Sequence, residues 1–140
     1  MDIKCVMVLA GDLPPGLAVN AAGVLAVTLG HRVPQLLPPD ALDASGEVHA
    51  GLINVPLPIL VLGRDGLKEL RQRAARQDGL TVVDFSDVAQ HARTYEGYIA
   101  ALAGTPAEAL NYLGVALHGP KKAINKLVGH LPLYGRAAPA

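Results

Sequence analysis

The chain opens with two apolar segments of different length and character. Ile3 to Ala10 is a nearly unbroken, valine-rich run of strand length, the pattern of a strand buried on both faces. Gly11-Asp12-Leu13-Pro14-Pro15-Gly16 breaks it. Leu17 to Leu29 is alanine-rich and too long for a strand, which predicts a helix. Because this helix is apolar all round, burial on more than one side is expected. Asn20 is its only strongly polar residue before Thr28, either a satisfied amide or a group facing a crevice. Gly30 is placed to end it, with His31 and Arg32 at the negative end of the helix dipole.

Residues 31–58 lose periodicity and carry five prolines, which predicts an irregular excursion with a short hairpin around Ala44-Ser45-Gly46. His49 lies in it and reads as a solvated loop histidine. Ile59 to Leu62 is a second buried strand. A helix over about Leu67 to Gln77 follows, with Leu67, Leu70 and Ala74 inward and Lys68, Arg71, Arg73 and Arg76 on a solvated face. Leu80 to Val83 is a third strand, ending at Asp84. Ser86 or Asp87 caps a short helical piece that ends near His91 to Thr94, and a further helix covers Tyr95 to Leu102. Thr105-Pro106-Ala107-Glu108 has the form of a capping box. Asn111 to Leu117 is a fourth strand, His118-Gly119-Pro120 a turn, and Lys121 to Val128 a last helix with Gly129 beyond it. Leu131 to Tyr134 is a tail segment able to pack, and Arg136 to Ala140 is expected to fray.

Four strands alternating with helices predict a single three-layer α/β/α domain over residues 1–140, with a four-stranded mixed sheet and residues 31–58 as an insertion. Length and an apolar fraction of 51% support a sizeable core. Formal net charge is zero, which argues against a surface given over to nucleic acid. Charge is unevenly spread: acids lead five to two before residue 61, and bases lead ten to seven after it. The single cysteine, Cys5, sits in the first strand as a buried, inert thiol. One cysteine fits a reducing compartment. No secretory signal or transmembrane segment is legible, so a cytoplasmic protein with no membrane partner is expected.

No nucleotide loop, nucleophile elbow, CxxC or HExxH is present, and no cofactor or metal is predicted. In an open α/β sheet, ligands bind at the carboxyl ends of strands. Asp12 follows the first strand, Asp84 ends the third, and Asp87 lies a turn later. Were those strands neighbours, Asp12 and Asp84 or Asp87 would form a carboxylate pair with one raised pKa, an acid/base couple. The plainer reading makes each a cap or turn residue. A second candidate is His118-Gly119-Pro120-Lys121-Lys122, where free amides and two ammonium groups open a helix and could take an anion. Its plainer reading is a good helix start with solvated lysines.

Two stretches together resemble a known family. Ile3 to Leu29 resembles the opening of the type II peptidyl-tRNA hydrolases, a strand followed by Asp-Leu, a glycine and an alanine-rich helix. Gly114 to Pro120, with Ile124 to Leu133 after it, resembles that family's closing strand, Gly-Pro turn and helix ending in a Gly-His-Leu stretch. The pattern is closer still to a bacterial family of unknown function sharing that fold. The resemblance implies a crevice around Asp12 and Gly16, with Asp84 or Asp87 and the Arg93-Thr94 pair as further counterparts, Thr94 among the catalytic ones. It also implies a lysine after Gly16, where this chain has Leu17. A glutamine is implied near Ala21, beside Asn20, and an arginine at Ala10. A leucine cannot supply an ammonium, and losing one such donor typically costs about 10²–10³ in rate. Lys121 or Lys122 reaching across the crevice would be the substitute. The expected function is therefore binding of a small polar or anionic molecule by Gly16, Asn20, His118, Gly119, Lys121 and Lys122. The alternative is hydrolysis of peptidyl-tRNA or a related ester by Asp12, Asp84 or Asp87 and Thr94. tRNA is the less favoured partner on charge grounds. A homodimer through the apolar first helix is expected beside either function.

Overall fold

The computed structural model describes residues 2–136, so the last part of the expected frayed tail lies outside the described residues. Strand β1 (Ile3–Ala10) is buried from Cys5 to Ala10, as an apolar run without alternation requires. Helix α1 spans Pro15–Arg32, with proline at its first position. β2 (Ala41–Leu42) and β3 (Val48–His49) form the small hairpin. β4 (Ile59–Leu62), α2 (Arg64–Ala75), β5 (Thr81–Ser86), α3 (Asp87–His91) and α4 (Tyr95–Ala103) follow. β6 (Tyr112–Pro120) and α5 (Lys121–Val128) complete the order.

The main sheet runs β4-β1-β6-β5. β1 and β4 are parallel, and β6 lies antiparallel between β1 and β5. Gly114 faces α1 so closely that a Cβ would fall 2.7 Å from Leu9 Cδ2 and 2.8 Å from Leu25 Cδ1. On the opposite face Lys4 Nζ donates to Asn125 Oδ1 of α5 (2.6 Å), and α2 reaches Asp84 through Arg71. Helices therefore cover both faces of a mixed four-stranded sheet, the expected α/β class. The tail closes the β4 edge: Val61 N–H donates to Pro132 O (3.0 Å) and Tyr134 N–H to Ile59 O (2.7 Å). No helix among the described residues is long and apolar enough to cross a membrane.

Several sequence expectations are corrected. α1 is buried along one stripe only, Ala18, Ala21, Leu25 and Leu29. Val19 and Val27 on its outer side are 72% and 77% exposed, because one helix face meets the sheet and nothing among the described residues covers these two. Gly30 lies within α1, and Val33 ends the helix by donating to Leu29 O (2.9 Å). His118 to Pro120 continue β6 instead of turning, since they pair with Ile3 to Cys5. The capping box does not form. Thr105 Oγ1 donates back to Ala101 O (2.7 Å), and only a 3₁₀ turn over Ala107–Ala109 follows. Arg71 is only partly solvated, because it is drawn into an ion pair. Ser86 caps α3 by accepting from Ala89 N–H (3.3 Å), and Thr94 caps α4 by accepting from Gly97 N–H (3.0 Å). In the hairpin Gly46 takes φ +83°, while Asp43 accepts from Ser45 and Glu47 and pairs with His49 (2.9 Å).

A bulge shapes the β5–β6 end. Phe85 pairs with Gly114 but Ser86 pairs with Tyr112, so Leu113 is an extra residue on β6. This sets the Tyr112 ring under Arg71, whose Cζ lies 5.6 Å from the ring centroid. Tyr112 is 2% exposed and its hydroxyl has no hydrogen-bond partner among the described residues. Burial raises its pKa, an effect partly offset by the Arg71 charge. An unsatisfied buried hydroxyl costs about 1–3 kcal/mol. Tyr112→Phe should therefore stabilise the unliganded protein by about 1 kcal/mol, read as a rise in Tm of about 3–5 °C in thermal denaturation. An unchanged or lower Tm would show that the hydroxyl is satisfied.

His118, half-buried on β6, has its pKa lowered from 6.5 by burial. The unfolded chain then binds this proton more readily than the folded one. Stability should be held above pH 6.5 and decline as pH falls through the window just below it. Denaturation midpoints at about pH 5 and about pH 7.5 should differ less in His118→Gln than in the parent.

Candidate functional site

The candidate residues fall into three groups. At the carboxyl end of β1, Asp12 accepts from Arg64 Nε at 2.9 and 3.0 Å, joining the loops that follow β1 and β4. Both side chains are exposed, so the pair is worth little to stability. Gly16 is exposed near the start of α1, with nothing within 4 Å of where a Cβ would stand.

At the carboxyl end of β5, Asp84 Oδ2 accepts from Arg71 Nε at 3.1 Å, with side chains 25% and 28% exposed. The Asp84 charge, after burial, also raises the pKa of Tyr98. Asp87 is tied into the scaffold: Oδ1 accepts from Val88 N–H (2.9 Å) and Asn111 N–H (3.4 Å). Its Oδ2 accepts from Asn111 Nδ2 (3.4 Å), which ties the start of α3 to the chain entering β6.

The expected carboxylate pair is not assembled. β6 separates β1 from β5, a gap of two strand spacings or about 10 Å between backbones. Asp12 and Asp84 each have an arginine instead. The third group is farther still. His118 pairs with Cys5 and Gly119 with Lys4, because β6 runs antiparallel to β1. Seven residues of strand and loop, about 23 Å, lie between that end and Asp12. Lys121 and Lys122 bound a shallow hollow there with Asp2 and Asn125, so neither reaches across to Asp12 as expected.

One groove does collect several candidates. It has a volume of about 670 Å³ and runs between α1, β5 and the α3–α4 segment. The α1 wall is Asn20, Val24, Thr28 and Arg32, one stripe at four-residue spacing about 18 Å long. The sheet contributes Val83, Asp84 and Phe85. The far wall includes Gln90, Arg93, Thr94, Tyr95 and Tyr98. Asn20, Asp84 and Thr94, singled out from the sequence, therefore share a cavity that excludes Asp12, Asp87 and Gly16. Among the described residues, neither Arg32 nor Arg93 has a salt bridge or side-chain hydrogen bond. The cations thus outnumber the one acid in the groove, and that acid is already held by Arg71. The groove's size is that of small-molecule sites. A second hollow of about 370 Å³, between the end of α1 and Leu36, Leu37, Ile53 and Leu57, is nearly all apolar and has no such charge.

The sequence reading missed Arg32, Tyr95 and Tyr98, and reached Arg93 only through the family resemblance, paired with Thr94. The signal was present in α1, where Asn20, Thr28 and Arg32 recur at multiples of four and mark one flank of an otherwise apolar helix. The partners on and just before α4 had no such periodic signal, because their approach to α1 depends on the path of residues 87–94.

The fold is shared with the solved structure of a protein of unknown function from Agrobacterium tumefaciens, at TM-score 0.87 and 17% identity, covering 96% of this chain and 99% of that one. No curated protein matches the chain. A family model described as protein of unknown function (DUF2000) matches residues 3–135, nearly the whole length, and the chain belongs to that family.

Proposed function

We propose that this protein binds a small polar, anionic molecule in the groove between α1, β5 and α4. The scaffold is read as peptidyl-tRNA hydrolase II-like, with its reactive ammonium replaced by Leu17. The carrying observation is that Arg32 and Arg93 line one groove with Asn20, Thr94 and a neutralised Asp84, and neither has an acidic partner among the described residues. Two such guanidiniums favour an anion and can bind it through several donors at once. A single cysteine fits work in the reducing cytoplasm.

Hydrolysis of peptidyl-tRNA or a related ester is the second reading. In its favour, Asp84 and Thr94 both line the groove. Against it, Asp84 is engaged by Arg71, Thr94 already caps α4, and the zero net charge suits tRNA poorly. Turnover of diacetyl-lysyl-tRNA above background would reverse the order of the two readings. A homodimer through the outer face of α1 accompanies either one, supported by the exposed Val19 and Val27.

Titration with inorganic phosphate, followed by NMR, should shift backbone amides of residues 90–95 and of the end of α1. Arg93→Gln should weaken that binding about ten-fold or more, without loss of fold since the side chain is exposed. Absence of shifts at millimolar phosphate would overturn the binding reading. Sedimentation at micromolar concentration should give a dimer, and Val27→Glu a monomer. A parent protein that sediments as a monomer would dispose of the dimer.

A further inference from the structure

We infer that the groove ligand is a free nucleotide, a planar heterocycle and a phosphate held at the same time. The inference rests on the groove being an anion site and adds a class of molecule to it. Its separate observation is aromatic. Tyr95 lines the groove and is 71% exposed, so its ring is open to a ligand there.

The ring is not loose. Tyr98, half-buried, meets it at a centroid distance of 5.6 Å and an interplanar angle of 58°, the tilted geometry that aromatic pairs favour. Tyr98 is in turn walled by the groove and lies within the field of Asp84. One ring is therefore braced by the other, and an exposed aromatic face held in this way is a stacking platform for a base. Val24, Val83 and Phe85 add an apolar lining able to take the hydrophobic body of a heterocycle.

Edge recognition has its donors and acceptors too. Asn20 and Gln90 carry side-chain amides with no side-chain partner among the described residues, and each offers both a donor and an acceptor. Arg32 and Arg93 remain for the phosphate. A sugar phosphate alone would leave the Tyr95 face bare, and a nucleoside alone would leave both guanidiniums unpaired. The nucleotide is the simplest chemistry that uses both halves.

The test compares adenosine monophosphate, ribose 5-phosphate and adenosine by calorimetry and NMR on the full chain. Adenosine monophosphate should bind at least about ten-fold more tightly than either fragment. Tyr95→Leu should erase its advantage over ribose 5-phosphate while leaving ribose 5-phosphate binding unchanged. Arg32→Gln with Arg93→Gln should erase its advantage over adenosine. Equal affinity for ribose 5-phosphate and adenosine monophosphate would overturn the nucleotide and leave the anion site standing. No binding of any of the three, with no response to inorganic phosphate either, would remove both. A short single-stranded RNA ending in adenosine that bound ten-fold more tightly than the mononucleotide would overturn the free-nucleotide assignment and make the occupant a strand end.

Discussion

The fold depends on β6 lying antiparallel between β1 and β5. Tyr112 to Leu117 and Cys5 to Ala10 are buried throughout, so each strand supplies the other's backbone partners and neither could be solvated on its own. This pairing fixes which groups share an end of the sheet. It places the ends of β1, β4 and β5 together, with the loop carrying Asp12, the start of α2 and the start of α3. It also carries His118, Gly119 and the start of α5 to the opposite end. Because β6 occupies the centre, the carboxylates after β1 and on β5 are kept apart, and each is neutralised locally by an arginine from α2. Charge balance at this end is therefore achieved in separate pairs, without a shared acid/base centre.

Much of the architecture is legible in residue pattern. Unbroken apolar runs mark β1 and β4, and the Leu67, Leu70 and Ala74 stripe marks the buried side of α2. Asp43 to Gly46 marks the hairpin through turn chemistry. These are local signals, and local physics decides them. Errors arise where a distant partner decides. Leu25, pressed against Gly114, and Val27, in solvent, lie about 200° apart on α1, but both are apolar, so the sequence does not say which side is buried. Thr105 has the right neighbours for a cap, yet it bonds back to Ala101 because the preceding helix has only just ended. Strand order is likewise non-local. The candidate Asp12–Asp84 pair requires adjacent β1 and β5, and the sequence contains no register from which to read that.

The polar network around Arg71 illustrates how a residue with a surface pattern becomes internal. On the α2 wheel Arg71 belongs to the same face as Lys68 and would be solvated in an isolated helix. The bulge at Leu113 turns Tyr112 beneath it, and Asp84 comes from the neighbouring strand. An ion pair at this depth gains more from Coulomb attraction than an exposed one and also loses more hydration. Cation–π contact with Tyr112 offsets part of that loss and fixes the guanidinium in place. The arrangement leaves the Tyr112 hydroxyl unpartnered, a local cost borne where the sheet meets the groove-forming segment.

α1 carries the largest share of the molecule's surface logic. Successive residues turn about 100° around the helix axis, so one 18-residue helix can present distinct flanks. The first, Ala18, Ala21, Leu25 and Leu29, is committed to the sheet. The second, Asn20, Thr28 and Arg32, is polar and faces the groove. Val19 and Val27 are apolar and exposed beyond it, and Val27 grades into the groove-facing flank, about 20° around the axis from Asn20. Small residues on the first flank allow close approach to β6, which lowers α1 far enough for its polar flank to oppose β5 and α4. A bulkier residue at Gly114 would lift the helix and widen the groove, because Leu9 and Leu25 already occupy that space. The geometry of the candidate site is thus set by a missing side chain in the central strand. No groove residue need change for the site to be lost.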